Sequence, residues 1–238
     1  MNRKSLKSRW EEPAFRREAV VEILASIAGK KLTGNDIRGI SLGNRGSSDF
    51  EFVGLGGVDL TDVDGSHGSY GCSFHHSKIT FCVFNKSSFI SSYFKAVNAK
   101  ASSFDEASFE HPTLDDAIFE KCTFLRSKWK GEKYSSSYGG RRCVFQDCDF
   151  SDASFKSLLF IAARFVNCDF SRCKFEKSTL KGCKFEGCKI SIENFISCDL
   201  KSVTIDGENV DREQSGSWED KAKRMMKKLG IETDEDKQ

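Results

Sequence analysis

Large apolar residues recur at every fifth position over most of the chain. Between positions 145 and 210 no step of this series is polar, and a second series over 74–134 has Ala99 as its one small member. The two series differ in phase by one residue, and a shorter, earlier piece begins at Phe50. A period of five fits neither the turn of an α-helix nor a long alternating strand. It predicts a solenoid built from short, repeated units.

A second regularity concerns the residue two positions before each large one, which is usually small. All ten cysteines occupy this position, where they alternate with serine and alanine. The probability that all ten cysteines fall by chance at this one position of the five-residue period is on the order of one in ten million. Their position therefore reflects the structure. Strand residues two apart share a face, so both are expected to point inward while the remaining three residues turn the chain.

This pattern resembles the pentapeptide-repeat family, whose motif is small-polar-large-x-x, and the segment 168–175 is a near-ideal copy. The resemblance covers roughly residues 48–210. It implies an all-β fold, namely a right-handed quadrilateral parallel β-helix with four pentapeptides per turn. Residues 20 apart, such as Phe145 and Phe165, would stack in rows ~4.8 Å apart. Five residues depart from the motif at its small position: Pro112, Glu132, Leu158, Glu193 and Glu208.

Both open ends of a solenoid need a cover, and the chain offers one short α-helix for each. Residues 1–31 are expected to form a tail and a capping helix over 13–29, which the apolar stripe predicts. The repeat coil is expected over 32–210. Residues 211–238 are expected to hold a second helix over 217–229, which begins with a capping-box pattern, and an acidic tail.

Two segments break the five-residue phase. Residues 61–71 are rich in glycine and separate the earliest piece from the first long series. Residues 130–142 separate the two long series and contain adjacent glycines and several serines. Both segments are expected to leave the coil as projecting loops.

Charge is nearly balanced, with 37 Lys+Arg against 35 Asp+Glu, but it is unevenly distributed. Residues 49–120 carry 4 Lys+Arg and 11 Asp+Glu, whereas residues 121–205 carry 16 and 9. Four carboxylates follow successive large residues and predict an acidic belt: Asp105, Glu110, Asp115 and Glu120. The belt is either a solvated surface or one that imitates DNA phosphate or docks a basic partner.

Basic and aromatic residues interleave around the second break in the repeat. Such a segment can bind an acidic protein surface or nucleic acid. An interruption of the coil whose charged residues serve only solubility would show the same composition. The candidate partner-binding residues, besides the four belt carboxylates, are Lys130, Lys133, Tyr138, Arg141 and Arg142.

Nothing in the sequence predicts catalysis, a cofactor or a metal site. The cysteines face inward from adjacent walls, which favours small core residues over metal ligands. His75 and His76 lie near His67, Asp62 and Asp64, but no nucleophile or oriented partner accompanies them. The chain has no apolar run of membrane-spanning length and no secretory signal, so the cytoplasm is the expected compartment.

Within its family the chain has a looser similarity to quinolone-resistance (Qnr-type) proteins, which act on DNA gyrase and topoisomerase IV. That resemblance implies a DNA-like rod, loops that contact the enzyme, and a homodimer joined by the C-terminal helix. The residues expected to form the dimer contact are Trp218, Met225, Met226 and Leu229. The basic half departs from a DNA mimic, and direct nucleic-acid binding is not expected. A scaffold or immunity-type adaptor that binds one protein is the alternative function.

Overall fold

The computed structural model describes residues 3–43, 50–132 and 137–211. Two helices stand at the N-terminus, α1 (Arg3–Ser8) and α2 (Pro13–Ala28), with a 3-10 turn over Arg9–Glu11 between them. The strands that follow are β1 Ser41–Leu42, β2 Ser69–Tyr70, β3 Lys78–Thr80, β4 Ser88–Ile90, β5 Asn98–Lys100, β6 Ser108–Glu110, β7 Ile118–Glu120, β8 Lys128–Lys130, β9 Gly139–Arg141, β10 Val144–Gln146, β11 Ser154–Lys156, β12 Leu159–Ile161, β13 Arg164–Val166, β14 Lys174–Glu176, β15 Thr179–Lys181, β16 Lys184–Glu186, β17 Phe195–Ile196, β18 Asp199–Lys201, β19 Thr204–Ile205 and β20 Glu208–Asn209. A second 3-10 turn, Ile192–Asn194, precedes β17.

The strands stack into four walls, named A to D in the order in which the chain visits them. Wall A contains β3, β5, β7, β10, β13, β16, β19 and β20, wall C contains β1, β2, β4, β6, β8, β11, β14 and β17, and wall D contains β9, β12, β15 and β18. Wall B is joined by single-residue bridges that run from Asp36 to Lys189. Except for β19 and β20, all paired strands are parallel. The predicted parallel β-helix is confirmed. Rows are numbered one to eight from β1 to β17 along wall C.

The large residue of each pentapeptide fills the interior. Phe145, Phe165 and Phe185 are partners in neighbouring strands, and their ring centroids lie 5.3 and 4.7 Å apart in stacked geometry. The small residue two positions earlier is buried beside each of them, as Cys143 and Ala163 show. The 20-residue rows predicted from the sequence are therefore confirmed.

Each corner of the coil is made by the second residue after the large one. Its backbone lies in the left-handed region, with φ of 55° at His76, 60° at Lys86 and 53° at Ala96. A left-handed residue other than glycine costs roughly 1–2 kcal/mol. Burial of the phenylalanine that the corner brings inward contributes ~1.5–3 kcal/mol, so packing outweighs the strained corner.

The N-terminal helices cover the first row. The helix expected over 13–29 is present as α2, and it buries Ile23 and Ile27 against the coil. Arg9 anchors this cap through an ion pair of 2.9 Å to Asp36, which Arg38 also contacts at 2.7 Å. Burial raises the pKa of Asp36, but hydrogen bonds from Arg38 and Arg9 outweigh it and hold that pKa well below its usual range. The helix α1 was not predicted, since six residues carry too little periodicity.

The prediction that residues 61–71 project as a loop is wrong. This segment belongs to the coil, because β2 pairs with β1 and β4 and Asp64 is bridged to Val83. Gly65 stands where a large residue is expected, and the ring of Tyr70 fills its place, with the hydroxyl donating to the Gly65 carbonyl at 2.8 Å. Because a glycine occupies the position of the large residue and a neighbouring ring fills the space, the repeat cannot be recognised here from large residues alone.

The interruption predicted over 130–142 is present but shorter. Its two ends are the strands β8 and β9, which lie within walls C and D. Thr113 pairs with Gly139, a separation of 26 instead of 20, so six residues are inserted between Gly131 and Tyr138. Lys133, a predicted site residue, lies outside the described residues.

An insertion that the sequence analysis missed lies in the first row. Ser41 pairs with Ser69, a separation of 28 residues, so eight residues are added between Leu42 and Leu55. Phe50 belongs to this insertion, although it fits the five-residue phase. The following row is one residue short, because the step from Tyr70 to Phe74 has four residues.

All ten thiols are expected to be free and slow to react in the folded protein. Nine are buried, and Cys188, the last of the column that includes Cys148 and Cys168, is half-buried. Burial raises the pKa of Cys72 to about 12 and that of Cys183 to about 11, so these two thiols form little thiolate at neutral pH. For the other buried thiols, the packed interior limits access of a labelling reagent. Thiol titration before and after denaturation checks this. Cys188 should label first, and fast native labelling of several thiols would contradict the assigned register.

Candidate functional site

Both insertions leave the coil at the same corner. The first connects Leu42 of wall C to Leu55 of wall D in row one, and the second connects Trp129 to Gly140 in row five. The four-residue step after Tyr70 lies at this corner too. Four rows separate the insertions by ~19 Å along the rod. We call this edge, with the adjoining outer faces of walls C and D, the C–D corner.

Exposed apolar side chains lie along the C–D corner at and between the insertions. Phe52, in the first insertion, is 82% exposed, and Ile90 and Tyr93, on either side of the corner in row three, are 41% and 56% exposed. Other exposed apolar residues lie elsewhere: Phe81 makes the corner between walls A and B, Ile118 lies on wall A, Val21 on α2, Ile192 in the second 3-10 turn and Ile196 on wall C in row eight. Exposed apolar residues that are spread over one edge mark a surface suited to protein contact.

Lys130, Tyr138, Arg141 and Arg142 surround the second insertion. The ring of Tyr138 stacks on His111 with 4.6 Å between centroids, which holds this end of the insertion against row four. Arg142 forms an ion pair of 2.7 Å with Asp116. The structure therefore places Lys130, Tyr138 and Arg141 on walls C and D beside the second insertion, whereas Arg142 makes the next corner, between walls D and A.

The four carboxylates of the acidic belt are not brought together. Asp105, Glu110, Asp115 and Glu120 lie on walls B, C, D and A respectively, so a partner on one side of the rod meets at most two of them. Glu110 pairs with Lys130 at 2.8 Å and Glu120 with Lys100 at 3.1 Å. Hydrogen bonding from Lys130 holds the pKa of Glu110 below its usual range.

The other two belt carboxylates bind backbone. Asp105 accepts the Leu125 N–H at 3.0 Å, and Asp115 accepts the Arg141 N–H at 2.9 Å. All four therefore bridge neighbouring rows, and the belt stabilises the coil instead of presenting a bare negative surface.

The histidines do not assemble a reaction centre. His67 follows the bridges of wall B, whereas His75 and His76 lie on wall D. The Ser73 hydroxyl lies 2.7 Å from His75 Nδ1, an exposed hydrogen bond between residues two apart on the same wall. Among the described residues, no group of three or more His, Cys, Asp or Glu side chains could hold a metal ion. The three imidazoles are therefore spread over different walls of the coil.

The aromatic and aliphatic residues of the corner were missed by the sequence analysis. A signal for two of them was available, because Ile90 and Tyr93 are large apolar residues immediately after and before an in-phase position. Such neighbours of the large residue point outward. Phe52 lies in the unrecognised insertion and carried no such signal.

The proposed dimer contact lies outside the described residues. Trp218, Met225, Met226 and Leu229 all follow position 211, where the description ends, so self-association through 217–229 stays a prediction. No helix within the described ranges combines the length and apolar character needed to cross a bilayer.

Comparison with known proteins bears on the fold. Residues 141–214 match the family model described as "Pentapeptide repeat region". Full-length QnrB1, a plasmid-mediated fluoroquinolone resistance protein, superposes with a TM-score of 0.51 at 14% identity, over 84% of this chain and 97% of that one. HetL from a Nostoc cyanobacterium, a pentapeptide repeat protein involved in heterocyst differentiation regulation, gives 0.36 at 12% identity, over 80% and 98%. No curated protein matches the chain in sequence.

Proposed function

We propose that this chain, which is a pentapeptide-repeat protein, works by binding another protein along the C–D corner and catalyses no reaction. The observation that carries the proposal is the position of the two insertions. The coil has four corners, and both insertions leave it at one of them, with Ile90 and Tyr93 exposed between them. Rigid scaffolds commonly present their binding residues on such loops.

The stiffness of the rod supports this mode of action. Its interior is packed with stacked phenylalanines, so the residues along the corner keep fixed spacings before a partner arrives. Fixed spacing lowers the entropic cost of association. A partner that bridges rows one to five would contact both insertions at once.

A type II topoisomerase, DNA gyrase or topoisomerase IV, is the first named partner to test. The similarity of fold to QnrB1 supports this choice. Imitation of DNA is not the mode that we propose, because Glu110 and Glu120 are paired within the coil and residues 121–205 are basic. We expect contact through the corner instead. A single-partner adaptor in a reducing compartment would use the same surface.

Substitution of the exposed aromatic residues should separate the corner from the other walls. The double variant Phe52→Ser and Tyr93→Ser should reduce capture of the partner from host lysate at least ~10-fold, since exposed aromatic residues often dominate interfaces. Phe81→Ser, at the corner between walls A and B, is the control and should change capture less than ~2-fold. Far-ultraviolet circular dichroism of all three proteins should coincide.

The outcomes decide between the candidates. Gyrase subunits in the wild-type eluate, with a wild-type effect on supercoiling or drug-induced cleavage that the double variant lacks, would support the topoisomerase. One other protein, lost in the double variant, would support the adaptor. Equal capture by wild type, double variant and control would contradict binding at the C–D corner.

A further inference from the structure

We infer that the C-terminal part of the C–D corner binds an acidic segment of the partner protein. This inference rests on the proposed function and adds the chemistry of the partner. Seven exposed cations lie on walls C and D in rows five to eight, and together they form what we call the basic strip: Lys128, Arg141, Lys156, Lys174, Lys177, Lys181 and Lys201.

The basic strip differs from the rest of the coil in its pairing. On walls A and B of these rows most cations meet carboxylates, as in Arg172 with Asp152 at 2.6 Å and Arg164 with Glu186 at 2.9 Å. Among the described residues of those two walls, Lys184 is the exception. No member of the strip forms a salt bridge within the part of the chain that the structure describes. Lys201 lies near Asp211, whose pKa is held low by the backbone N–H groups of Ser202 and Val203 and also by the charge of Lys201. The charge of the strip is otherwise left largely for an external partner.

Like charges lie side by side along the basic strip. Lys181 and Lys201 are register partners in neighbouring strands, which places their Cα atoms ~4.8 Å apart. At the edge of the strip, Lys156 is the register partner of Lys130 on one side and of Glu176 on the other, so the like charges are concentrated at Lys181 and Lys201. Adjacent like charges destabilise a sheet, and a bound carboxylate group would remove this repulsion.

The residues between the cations favour a protein over a nucleic acid. Ile161 is the register partner of both Arg141 and Lys181, and Ile196, next to the strip in row eight, is 42% exposed. Single-stranded nucleic acids are usually held by exposed aromatic rings. Among the described residues beside the strip, the aromatic ring is that of Tyr138, which is half-buried and stacks on His111. Alternation of aliphatic and cationic side chains fits an acidic peptide with apolar positions.

A binding assay with a defined probe tests the inference without knowledge of the partner. The probe is a fluorescein-labelled peptide of about 20 residues in which glutamate alternates with leucine or alanine, titrated at low salt where charge attraction is least screened. The variant Lys181→Glu with Lys201→Glu should bind it ~10-fold more weakly than wild type, because two attractive charges become repulsive. Lys31→Glu with Lys184→Glu makes the same charge change on wall A and should stay within ~2-fold of wild type.

Two results would overturn the inference. One is equal weakening by both double variants, which would show a response to net charge alone. The other is tighter binding of a duplex DNA than of the peptide, which would assign the strip to nucleic acid. Failure of the proposed function can be distinguished from failure of this inference. It would appear as unchanged capture of the partner protein by the Phe52 and Tyr93 double variant, whatever the result of the peptide titration.

Discussion

Replacement of Phe170 by alanine should lower the free energy of unfolding by about 3–5 kcal/mol. The side chain is fully buried, and its ring stacks on Phe150 with 5.1 Å between centroids and 4° between planes. It also meets Phe165 and Phe185 edge-on, so truncation leaves a cavity with rings on several sides. Rows above and below restrict collapse of that cavity, which places the cost near the upper part of the range.

The matched control is the alanine substitution of Phe52, which is 82% exposed. It should change the free energy of unfolding by no more than ~0.5 kcal/mol, because little packed surface is lost. Chemical denaturation of the wild type and the two variants under the same conditions gives the comparison. Equal losses for Phe170→Ala and Phe52→Ala would refute the assignment of inward and outward positions.

Gly139→Ala should destabilise the coil by at least ~3 kcal/mol. Gly139 begins β9, where the chain returns from the second insertion, and its φ is +132°, which alanine rarely adopts. A Cβ there would collide with the Leu159 carbonyl oxygen of the next row. Because Leu159 is held in β12, neither backbone can move without breaking the pairing of wall D.

Gly182 provides the control for that substitution. Its φ is +62° at an ordinary corner of the coil, and nothing lies within 4 Å of the place that a Cβ would take. Alanine already occupies the equivalent corner at Ala96, with φ of 53°. Gly182→Ala should therefore cost only ~1–2 kcal/mol. Thermal unfolding followed by circular dichroism should rank wild type, Gly182→Ala and Gly139→Ala in that order of decreasing stability, and a reversed ranking would contradict the described return of the chain.

Much of the interior could be predicted from the sequence because a five-residue period with stacked rows leaves little choice. Once Phe145 is placed inward, Phe165 and its small neighbour Ala163 follow. The prediction failed where a residue of one wall supplied the volume missing from the neighbouring wall, as Tyr70 does for Gly65. It failed again in the first insertion, where Phe50 kept the phase by coincidence while the chain left the coil.

The candidate site was harder to predict from the sequence, because side chains that point outward show no five-residue period. The pairing of Glu110 with Lys130 follows from a separation of 20 residues and was open to sequence reasoning. The pairing of Asp116 with Arg142 spans 26 residues, and it required the length of the insertion to be known. The shared corner of the two insertions could be found only after every wall had been assigned.

Site-specific photo-cross-linking tests binding at the C–D corner most directly. A photoreactive phenylalanine analogue would replace Phe52, Tyr93 or Tyr138 at the C–D corner, with Phe81 at the A–B corner and Ile118 on wall A as controls. Irradiation in host lysate, followed by mass spectrometry of the adducts, identifies the partner and the positions it touches. The account predicts one partner protein cross-linked from the three positions at the C–D corner and not from the two controls. The same partner cross-linked from Phe81 and Ile118, with no adduct from the C–D corner, would contradict it.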